Sequence, residues 1–186
     1  MRNSKVQIMT EAAMMIALAT VLAYVKLYEL PFGGSITIEM VPLVLFSYRR
    51  GYKWGTLAAF THSIIQCLVG FSNVLYCSTF LMQVGCILLD YVLAFTALGT
   101  ASFFFKKVKN DTVRICLGTA VVGFIRFVCS FLSGWIIWSA YTPEGMTSFY
   151  YSLTYNGSYM IPNIIVGVIV MALLTRFAPK LLKPNK

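Results

Sequence analysis

Apolar positions fall into long blocks separated by short polar breaks, and the blocks are longer than a soluble core requires. No charged residue occurs between Trp54 and Leu89, nor between Gly145 and Thr175. Both runs exceed the ~20 residues that a helix needs to cross hydrocarbon. The pattern predicts six helices. The first covers about 6–27, with Glu11 in its first turn, and stops before Pro31-Phe32-Gly33-Gly34. The second, about 36–48, would be only about 20 Å long and contains Pro42, so it must pack against protein. The third covers about 51–70, ending at Gly70, and the fourth runs from about 76 to 105, long enough to bend. The fifth spans about 112–138 with Asp111 as its N-cap. An outer loop around Thr142-Pro143-Glu144-Gly145 then leads through Tyr150 and Tyr151 to a sixth helix over about 155–177.

Composition narrows this to one integral membrane domain over residues 1–186, all-α. Hydrophobic residues make up 59% of the chain and charged residues 11%, where a soluble domain carries about 25% charged. The net charge of +9 does not indicate nucleic acid, because it is divided into separate clusters. Arg2 and Lys5, then Arg49, Arg50 and Lys53, then Lys106, Lys107, Lys109 and Arg114, and finally Arg176, Lys180, Lys183 and Lys186 alternate with basic-poor connections at 28–36, 71–78 and 139–154. This positive-inside alternation predicts a cell-membrane protein with both termini cytoplasmic and an even number of spans. The five cysteines lack CxxC or Cys/His spacing and read as small buried hydrophobes, so neither disulfide, metal nor cofactor is expected. The N-terminal run resembles a signal peptide in outline, but Glu11 within it favours an uncleaved first span.

Against that background Asp90 and Arg126 stand out as charges inside apolar stretches. Such a charge costs roughly 2.5–3.5 kcal/mol at mid-membrane and marks a buried pair or a ligand site. Gln83, Cys86 and Asp90 return to one side of the fourth helix, with Tyr91 about 100° away. Arg126, Ser130, Gly134 and Trp138 step by four along the fifth helix, Gly134 leaving room where a ligand ring could lie. Asn156, inside the sixth span and near Tyr151, needs partners for its amide and suits the edge of a flat polar ligand. The structural alternative stays open: an Asp90–Arg126 ion pair, with Trp138 as an interfacial anchor. His62 has no ligand-spaced partner and reads as a hydrogen-bonded core residue. Ala13 and Ala17, and Ala19 and Ala23, form small-residue strips on the first helix that permit close helix approach. No GxxxxGK[ST], GxSxG or HExxH motif occurs, so an enzyme is not indicated, and energy for transport would come from another subunit or an ion gradient.

Three segments resemble the thiamine-specific S component, the substrate-capturing membrane subunit, of energy-coupling factor transporters. They are Thr10-Glu11-Ala12-Ala13 to Ala17, Pro42 to Ser47-Tyr48-Arg49-Arg50-Gly51, and Arg126 through Trp138-Ser139 to Tyr151-Ser152-Leu153 and Asn156-Gly157. The resemblance implies a six-helix S-component bundle with both termini inside and an outward-facing vitamin site. It also implies docking through Ala13 and Ala17 onto a transmembrane coupling subunit that carries two ATPases. By position, Asp90 replaces a ligand-facing glutamate, Tyr91 keeps a tyrosine, and Arg126 replaces a lysine. Gly134, Trp138, Tyr151 and Asn156 match directly. Ser130 stands where the family has a ring-stacking histidine, and Phe32-Gly33-Gly34-Ser35 lacks the family's loop tryptophan. The implied function is capture of thiamine, or a close relative such as its pyrimidine half, for ATP-driven uptake. A proton-coupled secondary transporter using Asp90 as carrier is the rival.

Overall fold

The computed structural model describes residues 4–30 and 34–183. The predicted break at Pro31, Phe32 and Gly33, and the terminal charges Arg2 and Lys186, lie outside the described residues. Helix α1 (Ser4–Tyr24) leads into a two-stranded antiparallel hairpin, β1 (Tyr28–Glu29) and β2 (Ser35–Ile36). Helices α2 (Met40–Arg50) and α3 (Tyr52–Val69) are joined at Gly51, whose φ of +87° lies in the region that only glycine enters without strain. A short α4 (Phe71–Leu75) precedes the long helical segment α5 (Phe80–Phe103). Helices α6 (Asp111–Ile136) and α7 (Ser148–Phe177) complete the bundle and pack against each other.

Among the described residues four helices are long and apolar enough to cross a membrane: α1 from Lys5, α5, α6 and α7. Large apolar side chains such as Leu68, Phe80, Leu81, Phe124, Ile165 and Ile169 face outward, as a lipid-embedded surface requires. The short α2 packs against protein, as its length demanded. Met40 to Ser47 are all buried, and Pro42 falls in the first turn, where its missing N–H removes no helical bond.

Helix starts differ from the sequence reading in several places: α2 begins at Met40 rather than about 36 and α5 at Phe80 rather than about 76, and two more turn on capping side chains. Asn110, not Asp111, caps α6: its side chain accepts from Val113 N at 3.1 Å, while Asp111 pairs with Arg114. Helix α7 begins two turns earlier than predicted, because Thr147 accepts from Tyr150 N and takes Tyr150 and Tyr151 out of the loop. The double arginine that ends α2 turns inward: Glu11 accepts from Arg49 at 2.8 Å and Arg50 at 2.5 Å. Arg49 also donates to the carbonyls of Leu181 and Lys183, fastening the C-terminal turn beneath the bundle.

Helices α3 and α5 touch backbone to backbone. A Cβ on Gly55 would lie 2.5 Å from Gly99 O, and one on Gly99 would collide with Gly55 in return. Ser47 Oγ donates to the same Gly99 carbonyl at 2.6 Å. Backbone cannot swing aside as a side chain would. Gly99→Ala should therefore cost about 1–3 kcal/mol by overpacking, read as a lower melting temperature of the detergent-solubilised protein.

Candidate functional site

A cavity of about 720 Å³ opens at the end of the bundle that carries the hairpin, opposite the arginine turn. Its walls come from α5, α6, α7, the hairpin, the residues just before α2, and α4 with the residue after it (Asn73, Tyr76). All eight residues singled out as substrate-binding line it: Asp90, Tyr91, Arg126, Ser130, Gly134, Trp138, Tyr151 and Asn156. The i+4 ridge on α6 thus faces one space over its whole length. Gln83 does not join; its amide approaches Cys77 O instead.

Asp90 sits where α5 widens into a π-helical turn, Ile87–Leu93. Such widenings recur at functional sites because they re-aim side chains within a helix. Asp90 Oδ2 accepts from Ser133 Oγ at 2.6 Å, Trp138 Nε1 at 3.1 Å and Cys86 Sγ at 3.4 Å. All three donors are neutral. Trp138 lies just past the end of α6, with its backbone N–H donating to Ser133 O, so Ser133 positions both the carboxylate and the residue that carries the indole. Ser133 is fully buried and was not among the expected site residues.

The Asp90–Arg126 ion pair, the structural alternative to a ligand site, is not formed. Arg126 Nη2 instead pairs with Glu39 Oε1 at 2.5 Å, and its guanidinium lies 4.2 Å from the centroid of Phe95. Glu39 also lines the cavity and is 7% exposed. The sequence reading set it inside the short second helix, about 36–48, and gave it no role. The available signal was its apolar setting, Ile38-Glu39-Met40-Val41, the same criterion that selected Asp90. Two carboxylates and one guanidinium leave the cavity with one formal negative charge, carried by Asp90.

Two other lining residues also carry packing contacts. Gly134 does line the cavity, but its lack of a side chain serves helix packing: a Cβ there would collide with Ser152 Oγ and lie 2.9 Å from Asn156 Nδ2. Asn156 spends its donors on Ser152 O and Oγ and accepts from the Tyr159 hydroxyl at 2.7 Å. Tyr91 braces α5 against α3, donating to Gly70 O at 2.9 Å. The aromatic lining continues with Tyr151 and Tyr155, stacked at 5.8 Å between ring centroids. Asn163 fixes the hairpin over this wall through Thr37 N and Ser35 O, both at 2.8 Å. His62 is fully buried and hydrogen-bonded, as expected. On α1, Ala13 and Ala17 are exposed whereas Ala19 is buried.

Comparison with known proteins is consistent across sequence and fold. The profile of the thiamine transporter protein family matches residues 9–183. The thiamine transporter ThiT of Bacillus subtilis (strain 168) is 33% identical over 187 residues, covering 95% of this chain and 94% of the relative. ThiT of Lacticaseibacillus paracasei is 26% identical over 192 residues, 97% and 92% of the two chains. The solved structure of ThiT from Listeria monocytogenes superposes with a TM-score of 0.80 at 23% identity, over 98% of this chain and 100% of that one, a likeness of fold.

Proposed function

Because the chain belongs to the thiamine transporter protein family, we propose that it captures thiamine in the cavity around Asp90, as the membrane subunit of an energy-coupling factor transporter. It is a transporter component and not an enzyme. One observation carries the ligand assignment: a cavity carboxylate whose partners among the described residues are all neutral donors. Thiamine supplies the missing positive charge in its thiazolium. The volume of about 720 Å³ lies within the ~300–1,000 Å³ of small-molecule sites. Trp138 and the Tyr151–Tyr155 pair offer aromatic faces for the rings, each cation–π contact being worth ~0.5–2 kcal/mol. Ser130, a smaller group than histidine, leaves space on the α6 wall, and Asn156 Oδ1 keeps one lone pair for the ligand.

The proposal extends to orientation and partners. Helices α1, α2, α3, α5, α6 and α7 form a single six-helix membrane domain in the cell membrane with both termini cytoplasmic. The basic residues around Arg49 and Lys106 would then lie inside and the cavity outside. The exposed Ala13 and Ala17 would receive a transmembrane coupling subunit bearing two ATPases. Tryptophan fluorescence of the purified chain tests the ligand assignment directly. Thiamine at micromolar concentration should quench it, and thiamine monophosphate, whose phosphate outweighs the thiazolium, should bind at least about tenfold more weakly. Absence of quenching by thiamine and by its pyrimidine fragment would overturn the assignment.

A further inference from the structure

A part-buried polar chain runs from the cavity floor to α1, and only its first two members, Arg126 and Glu39, line the cavity. Arg126 Nη2 reaches Glu39 Oε1. Glu39 Oε2 lies 3.4 Å from Gln66 Nε2, which lies 3.3 Å from His62 Nε2. His62 Nδ1 lies 3.3 Å from Thr20 Oγ1, and Thr20 Oγ1 donates to Ile16 O at 2.9 Å.

The chemistry of the members leaves one arrangement of protons. A carboxylate accepts only, so Glu39 must meet the amino side of the Gln66 amide; a flipped amide would set oxygen against oxygen. That amino group faces His62 Nε2, which therefore carries no proton. A neutral imidazole then bears its proton on Nδ1 and donates it to Thr20, whose own proton is already committed to Ile16 O. The opposite tautomer, or an imidazolium, would set N–H against N–H in a fully buried site.

We propose that Gln66, held by neutral Nδ1-protonated His62 and Thr20, is a positioning residue for ligand binding. It fixes the Glu39 carboxylate against Arg126, so that Asp90 alone presents negative charge to the ligand. This rests on the thiamine reading, and the test separates the two. The chain contains one histidine, so isotope-labelled histidine gives a one-residue nitrogen NMR spectrum of the unmodified protein. A protonated Nδ1 and an unprotonated Nε2 support the chain of bonds, with or without thiamine. The reverse tautomer or an imidazolium overturns it. In thiamine titrations, Gln66→Met should weaken binding about tenfold, and the same change in a Glu39→Gln background should add almost nothing. An equal loss in both backgrounds would mean that Gln66 serves packing alone, and the positioning role would fall. If the unmodified chain does not bind thiamine, the functional reading fails while the imidazole spectrum still decides the network.

Discussion

Asp90→Asn is expected to weaken thiamine binding about 30- to 150-fold, equivalent to about 2–3 kcal/mol, in calorimetric titration of the purified protein. The substitution keeps volume and keeps an oxygen for Ser133 and Trp138, so the π-helical turn and the seat of the indole persist. What changes is the group facing the cavity: a carboxylate oxygen becomes an amide, and the single net negative charge disappears. The loss should track ligand charge. A neutral aminopyrimidine fragment, lacking the thiazolium, should lose less than about threefold, since it forgoes no ion pairing. Equal losses for both ligands would mean that Asp90 acts by shape or hydrogen bonding. Unchanged thiamine binding would remove the carboxylate from the site altogether.

Most of the helical framework was legible because its signals are local. Gly51 and Gly70 bracket α3 where the sequence put its ends, and Pro42 with the brevity of α2 foretold burial. The α6 ridge was legible for the same reason: steps of four on a regular helix keep to one face whatever surrounds them. The misreadings arise where a neighbour in space decides. Asp90 and Arg126 looked complementary, yet Glu39 arrives from before α2 and takes the guanidinium. Tyr91 was named for the site and does line the cavity, where α5 is wound in π form. Gly134 is needed because Ser152 and Asn156 of α7 press against it, and no spacing within α6 announces that. The start of α7 turned on one hydroxyl, Thr147, set among other polar loop residues.

Arg126→Met should lower stability by about 3–5 kcal/mol, the typical cost of leaving a buried charge without its partner. Side-chain exposures of 14% for Arg126 and 9% for Glu39 leave little water to screen the abandoned carboxylate. Methionine can still pack on Phe95, so the loss is electrostatic more than steric. The double variant Glu39→Gln, Arg126→Met should recover most of it, to within about 1 kcal/mol, because a neutral pair restores the charge balance. Thermal unfolding in detergent reads both. The single variant carries a further signature: with two uncompensated carboxylates in the cavity, thiamine should raise its melting temperature more than it raises that of the unmodified chain. Should Arg126→Met cost less than about 1 kcal/mol, the Glu39–Arg126 pair is effectively solvated. The inference that Asp90 alone sets the charge of the cavity would then no longer hold.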